Sequence, residues 1–517
     1  MRFHLRRRRG RAGGPLPTGP ASPDLALLLV LLLVSALAAC APAAARNARG
    51  LLAQGDPVSA EAAADRGLAE DPEHPALWRV KIEAVYAGGD AARALALYRE
   101  WTARRGEHDH ELLRRLATAT LDQGLRVPSA PVRAAAVQAI ERFEVIELAP
   151  AVAARIGDDS ELVAAAAAIA LLRSAPGAAE AAGQLEHSRD PQVRALILAG
   201  LARKLGAPTR PDLLAALADP EPLVRQVALR ALADLTDPAD VARFAAVAGE
   251  DPDPGVRGAA VAGLGALAGA AEARDPAAQA ARAALDDAHL AVRSAAVTAL
   301  ARLDDRETLA RVAAQPLPAL AVRAAMAVRG DQPALLERAL DRALADPDPS
   351  VRAAALNAVH AAERGRAVTR AEAALADPSW LVRLAAARAL LYLDTIERRG
   401  DSAPSEDLDT LAGSVTAAQR GRAEDTLAAA IAEAGPRLGL QAAQALADRG
   451  DPRGSAAWAA VLTSGADATL RQAAARAWPR HARRTSPDPA LTQAIADALA
   501  DPAPLVRLAA AEALLDR

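Results

Sequence analysis

An aspartate and an arginine recur together along this sequence, six residues apart. The pairs are Asp219 with Arg225, Asp251 with Arg257, Asp287 with Arg293, Asp346 with Arg352, Asp377 with Arg383 and Asp501 with Arg507. A carboxylate beside a guanidinium can shuttle a proton or grip an anion, so any one pair has the residue types of a reactive site. The repetition points elsewhere. Residues 344–356, LADPDPSVRAAAL, return nearly word for word as LADPEPLVRQVALRAL, LADPSWLVRLAAARAL and LADPAPLVRLAAAEAL. A feature needed this many times belongs to the architecture, and we assign no catalytic residue to it. A second cluster, Glu107, His108, Asp109, His110 and Glu111, has the side chains of a metal site. Neighbours alternate direction around a helix, however, and no second cluster completes a ligand set, so the stretch reads as the polar start of a helix. No Gly-rich phosphate loop, CxxC, HExxH or GxSxG pattern occurs. The expectation is a chain that is not an enzyme and holds no cofactor or metal.

The elements that carry the pairs must be helices packed by small residues. The 517 residues are 52% hydrophobic but only 2% aromatic, which leaves Ala, Leu and Val to fill the core. Closely approaching helices suit that composition. Val-Arg pairs place arginines at 133, 194, 225, 257, 293, 323, 352, 383 and 507, and Arg471 follows Leu470 in the same frame. Most gaps fall between 29 and 36 residues. A period near 31 is that of stacked helical hairpins. In each unit the Asp reads as a helix N-cap, the Pro after it as the first helical residue, and the double Ala as a place of close helix approach. The 61-residue gap after Arg133 holds a degenerate unit, DDSELVAAAAAIALL.

This pattern resembles short HEAT repeats, of the type also found in phycobilin-lyase-like proteins. The resemblance implies an all-α fold, a right-handed α-solenoid. It also implies that the Asp and Arg residues form a ladder between adjacent units, a role for which the forked guanidinium is suited. HEAT enzymes such as deoxyhypusine hydroxylase carry several His-Glu pairs on separate repeats. This chain has only His110-Glu111, so the likeness to enzymes is one of fold.

Ahead of the array lie two further segments. A basic start, MRFHLRRRRGR, precedes an apolar run from Leu25 to Ala39, too short to span a bilayer. It ends Leu37-Ala38-Ala39-Cys40, which resembles the bacterial lipobox, with Cys40 as the lipidated residue. The implied location is the cell envelope, facing the periplasm; Ala41 in place of Asp points to the outer membrane. Without the first 39 residues, which hold six Arg and one Asp, the chain has 55 basic and 63 acidic residues, a net charge of −8 against −3 for the whole. That balance argues against a nucleic-acid partner. The stretch 47–106 resembles tetratricopeptide repeats: Ala62 and Ala94 at helix crossings, Gly88-Gly89 as a break, and Tyr86, Tyr98 and Trp101 filling the groove. The expected organisation is a signal peptide at 1–39, the lipidated Cys and a tether at 40–46 and the tetratricopeptide-like hairpins at 47–106. HEAT-like blocks follow at 107–396 and 411–517, separated by a polar loop or joint at 397–410.

If the ladder is structural, recognition lies where units differ. One and five positions after each arginine the residues vary, and positions four apart share a helix face. The candidate groove is therefore Gln226, Arg230, Ser294, Thr298, Asn357, Arg388, Gln472 and Arg476. Leu505, Val506, Leu508 and Leu514 lie on the last helix, where solenoids usually carry a polar cap, so this end is expected to dock on a partner or to self-associate. The reading is a lipid-anchored scaffold or assembly factor for protein partners. Its alternatives are a HEAT-repeat enzyme or enzyme accessory, and a solenoid that holds peptide or polysaccharide.

Overall fold

The computed structural model describes residues 43–269, 271–399, 414–464, 467–483 and 488–516. Residues 1–42, which include Cys40 and the expected signal peptide, and most of the polar stretch after residue 399 lie outside them. Every element among the described residues is helical. The chain forms two compact units, 1–97 and 98–517, so the division falls inside one helix rather than near residue 106.

The first unit contains α1 (Ala43–Ala53), α2 (Pro57–Glu70), α3 (Pro75–Ala87) and the start of α4 (Ala91–Arg105). Asp56 caps α2 by accepting the Ser59 N–H at 3.0 Å, with Pro57 in the first turn. Gly89, at φ +94°, supplies the left-handed residue that lets the chain leave α3. Ala48, Ala63, Ala64 and Val80 make a small core. Ala62, expected at the helix crossing, is exposed, and Ala63 and Ala64 beside it are buried instead. Tyr86 is buried here; Tyr98 and Trp101 are buried in the second unit.

The second unit is an α-solenoid, as the repeat period implies. It starts with the rest of α4 and with α5 (His110–Gly124). One row then consists of α6 (Ala130–Arg142), α8 (Glu161–Ala170), α10 (Pro191–Leu205), α12 (Pro222–Leu235), α14 (Pro254–Ala266) and α16 (Leu290–Arg302). It continues with α18 (Pro318–Val328), α20 (Pro349–Leu356), α22 (Trp380–Arg399), α24 (Pro436–Ala447), α26 (Ala468–Ala482) and α28 (Pro504–Leu515). The second row consists of α7 (Ala149–Ala153), α9 (Ala178–Leu185), α11 (Arg210–Ala216), α13 (Val241–Glu250), α15 (Ala271–Ala283) and α17 (Arg306–Ala314). Beyond them come α19 (Pro333–Leu344), α21 (Arg364–Ala374), α23 (Ala417–Glu433), α25 (Pro452–Thr463) and α27 (Pro489–Asp497). In the first row every helix packs on the next, whereas in the second row many steps are not in close contact. An unbroken row beside a broken one places the first on the inner side of the curve.

Two expectations are corrected in this unit. The recurrent Asp is not the N-cap. In α14 and α20 the caps are Asp253 and Asp348, two residues after Asp251 and Asp346, and the first helical residues are Pro254 and Pro349. The first Asp of each turn instead accepts the N–H of the capping residue, at 2.9 Å in Asp251 and 2.8 Å in Asp346. It folds the turn that presents the cap. The polar joint also begins later than residue 397, because α22 continues to Arg399. Asp394, buried on α22, accepts from Arg398 (3.1 Å), from Arg420 of α23 (3.0 Å) and from Arg449 beyond α24 (2.8 Å). This carboxylate ties together the helices on either side of the polar stretch.

The last helix is not an open end. α28 packs against α5 and α6, so the inner row returns to its own beginning. A Cβ on Gly124 of α5 would lie 2.9 Å from Leu508 Cδ2, a measure of how closely the two helices meet. Arg142 of α6 donates to Glu512 at 3.1 Å, and His108 Nε2 donates to the Pro489 carbonyl at 2.9 Å. Leu508 is buried in this seam, Val506 and Leu514 are also buried, and Leu505 is exposed. Three of the four apolar residues that suggested docking or self-association are thus buried within the chain itself. The Glu107–Glu111 cluster serves the same region: Asp109 caps α5 through the Leu112 N–H at 3.1 Å, and Glu111 pairs with Arg115 at 2.5 Å.

Candidate functional site on the inner helix row

Each complete rung uses one arginine in two directions. Arg225 Nη1 donates to the carbonyls of Asp219 (2.9 Å) and Pro220 (3.0 Å) in its own turn. Its Nε and Nη2 donate side by side to the carboxylate of Asp251 in the next repeat, at 2.8 and 2.9 Å. The six-residue spacing thus links an arginine to the backbone of its own aspartate, and the ion pair runs to the next one. The same double use builds Arg194–Asp219, Arg257–Asp287 and Arg352–Asp377. Arg133–Asp158 and Arg471–Asp501 add rungs whose arginines lack an aspartate six residues earlier.

Four residues assigned to the ladder form only part of a rung. Arg293, Arg383 and Arg507 donate to their own turns, the first to Asp287 O at 2.7 Å, without a bridge to a following repeat among the described residues. Arg293 Nε is buried with no hydrogen-bond partner there. Asp346 binds its own turn, but no arginine of the preceding helix reaches it. The reason is on α18, where Ala321 stands three residues after the first helical position, the place other units give to Arg; Arg323 comes two residues later and is exposed. Arg383 lies over the Trp380 ring instead, 3.7 Å from its centre. In the degenerate unit the loss is reciprocal: α8 has Ala164 for the arginine, and the next turn has Ser188 for the aspartate.

Four rung carboxyls, Asp219, Asp251, Asp287 and Asp377, are held below the ordinary carboxylate value. The Arg257 fork holds Asp287 down to about 2 against burial, with help from the His289 N–H. Burial pushes Asp219 and Asp251 up, but their arginines and turn N–H groups outweigh it and leave both below the ordinary carboxylate value. Asp377 is lowered by Arg352. A carboxyl lowered by folding stabilises the fold fully above the unfolded value, about 3.9, and loses that contribution as pH falls through the folded value. We therefore expect the array to keep its stability down to about pH 4 and to lose it progressively towards pH 2. Urea midpoints followed by circular dichroism across that window check this; a flat profile would contradict the rungs.

The variable positions divide into two kinds. One residue after the rung arginine, Gln226, Ser294 and Gln472 are half-buried, and Ala353, Leu384 and Leu508 are buried. These side chains lie between neighbouring repeats, as in Gln226 Nε2, 3.4 Å from Asp253 Oδ1. The first half of the predicted groove is thus largely an inter-repeat surface. Five residues after the arginine the face opens: Arg230, Asn357, Arg388 and Arg476 are exposed, while Thr298 is half-buried with its hydroxyl donating to the Ser294 carbonyl at 3.0 Å. The open face continues one turn further, at position nine, with Tyr392 and Arg480 exposed and Asp448 half-buried. Sequence reasoning stopped a turn short, although the same helical spacing reaches these residues.

Across α20, α22, α24 and α26 this face holds a cavity of about 800 Å³. Asn357 and Arg388 line it, joined by His360, Tyr392, Gln444 and Arg480. Gln444 escapes the arginine frame because α24 carries Gly439 where other units carry Arg. His360 packs edge-on against Tyr392, with ring centres 5.4 Å apart. Among the described residues the one lining carboxylate, Asp448, accepts from His481 Nδ1 at 3.0 Å, and Arg449 is drawn to Asp394. Arg388 and Arg480 have no acidic partner among the described residues. Arg230 and Arg476 lie on the same row outside this cavity.

Residues 178–265 match the family model described as HEAT repeats. Over that stretch the chain is similar to HEAT repeats. The matched stretch runs from α9 into α14 and contains the rungs Arg194–Asp219 and Arg225–Asp251. Among solved structures, YibA of Escherichia coli aligns at 15% identity and a TM-score of 0.28, over 64% of this chain and 99% of that one. Human deoxyhypusine hydroxylase, solved in complex with glycerol, aligns at 22% identity and a TM-score of 0.21, over 48% of this chain and 97% of that one. Scores this low have no bearing on function. A comparison with curated proteins finds no match.

Proposed function

We propose that this HEAT-repeat chain is a non-catalytic scaffold for protein partners, held in the bacterial envelope by lipid on Cys40. The observation that carries the scaffold reading is the division of labour on the inner row. Rungs join about half of the successive repeats and small residues recur between them, while the fifth and ninth positions differ from one repeat to the next. Such a surface offers a different contact at each step along an extended partner. The anchor reading rests on the sequence LAAC at 37–40 alone. No helix among the described residues is long and apolar enough to cross a membrane. One acyl chain binds a bilayer only reversibly, so firm anchoring takes the two or three chains that a lipoprotein cysteine carries.

Cross-linking in intact cells followed by recovery of the membrane fraction tests both parts. The wild-type chain is expected in the membrane pellet with cross-linked partners, and Cys40→Ala in the soluble fraction without them. A Cys40→Ala chain that still sediments with membranes would remove the anchor.

A further inference from the structure

Many arginines of the second unit have an acidic partner: the rungs, Arg210 with Asp240, Arg370 with Glu337, and Arg449 with Asp394 all pair within 2.9 Å. Among the residues lining the cavity of α20 to α26, cationic groups outnumber carboxylates. Arg388 and Arg480 are exposed without an acidic partner among the described residues, and the only lining carboxylate is engaged by His481. Cationic groups without an acidic partner on an inward-curving surface give a local positive potential, which favours an anionic ligand there.

The neighbouring groups narrow the ligand. Guanidinium forks favour carboxylates held two oxygens at a time. Asn357 and Gln444 each present a donor and an acceptor, the complement of a backbone amide. Tyr392, 51% exposed and braced by His360, offers a flat apolar surface beside them. Carboxylate, amide and apolar contacts on one face describe a peptide chain with acidic side chains. A planar membrane cannot follow an inward curve. Single-stranded nucleic acid is held by runs of aromatic side chains on which successive bases stack, and among the lining residues Tyr392 is the one exposed tyrosine or tryptophan.

We infer that the cavity on α20, α22, α24 and α26 binds an extended acidic peptide segment of a partner protein, with Arg388 and Arg480 holding its carboxylates and Asn357 and Gln444 its backbone. This rests on the scaffold reading and names the partner chemistry.

The test is fluorescence anisotropy on the chain from residue 41 onward, with a fluorescein-labelled peptide of alternating Glu and Leu as probe. A Lys-Leu peptide and labelled alginate are the controls. The acidic peptide is expected to bind, and Arg388→Glu with Arg480→Glu should weaken it by about tenfold or more, as loss of two charge-assisted contacts implies. Arg302→Glu, away from the cavity, should change the affinity less than about twofold. Circular dichroism checks that the variants remain folded, and Arg388→Gln with Arg480→Gln, which adds no charge, should weaken binding in the same direction. Equal binding by the glutamate variant, stronger binding of alginate than of the peptide, or no binding of the acidic peptide would each overturn the assignment. Cross-linking in cells separates the two levels. Partners still recovered with the Arg388→Glu, Arg480→Glu chain leave the scaffold standing and remove this site, whereas no partner recovered with the wild type removes the scaffold itself.

Discussion

Replacing Arg225 by alanine should destabilise the array by about 3 kcal/mol, more than any exposed substitution on the same helix. Four hydrogen bonds are lost together: two to the Asp219 and Pro220 carbonyls and two to Asp251. The Asp251 side chain is only 9% exposed, so it is left as a nearly buried carboxylate. Removing one member of such a pair typically costs about 3–5 kcal/mol. The lower end applies here, because Asp251 retains the Asp253 N–H and the field of Arg257. Arg225→Lys should recover less than half of the loss. An ammonium is a point donor and cannot serve the turn carbonyls and both carboxylate oxygens at once. Replacing both partners, Arg225→Met with Asp251→Leu, should cost less than Arg225→Ala alone, since no charge is then stranded. Urea denaturation with the double-mutant cycle measures all three. A loss below about 1 kcal/mol for Arg225→Ala would reduce the rung to a surface ion pair.

That expectation depends on a feature only half visible in the sequence. The period near 31 and the Asp, Pro, Val-Arg and Ala-Ala pattern define helical hairpins, because cap, proline, core valine and small contact residues each favour the same local structure. Which aspartate does which task is a different matter. In Asp346-Pro347-Asp348-Pro349 both acids precede a proline, and local preference rates them equally as caps. The second is the cap because only there does the proline fall on the first helical residue. The first is freed to fold the turn and receive a rung. The direction of the rungs is likewise set by stacking. At Ala164 and Ser188 both halves are absent, whereas Asp346 stands without an arginine before it, and the difference can be read only once the arginine frame is known in three dimensions.

The candidate site was legible in part for a related reason. Counting from the arginine identified Arg388 and Asn357, because α20 and α22 keep the frame. It missed Gln444, since α24 has Gly439 at the reference position, and it missed Tyr392 and Arg480 by ending one turn early. The first variable position looked exposed in sequence because polar residues occur there. Stacking places it between repeats, where Gln226 can find a neighbouring acceptor and Leu384 an apolar cover. Return of the last helix to the first has no local signature at all. It follows from a small rotation at each repeat accumulated over the array.

Gly124→Trp should open that seam while leaving the repeats folded. The glycine position is 2.9 Å from Leu508 Cδ2 and 3.0 Å from Ala136 Cβ, measured from where a Cβ would stand. Leu508 can rotate away from one added methyl, so Gly124→Ala should cost about 1 kcal/mol or less. An indole has no such room, since Ala136 belongs to the neighbouring helix α6 and cannot yield without moving its backbone. The simplest relief is separation of α28 from α5 and α6, with loss of the Arg142–Glu512 and His108–Pro489 contacts. Amide hydrogen exchange should show residues 110–124 and 504–515 losing protection by about tenfold or more, with 222–235 unchanged. Opening also changes how the array responds to a broken rung. In a closed circuit a repeat weakened at Arg225 remains joined to its neighbours through the other arm, whereas an open array is divided there into two shorter stacks. Arg225→Ala should therefore cost more in the Gly124→Trp background than in the wild type, and additive losses would mean that the seam contributes nothing to the coupling between repeats.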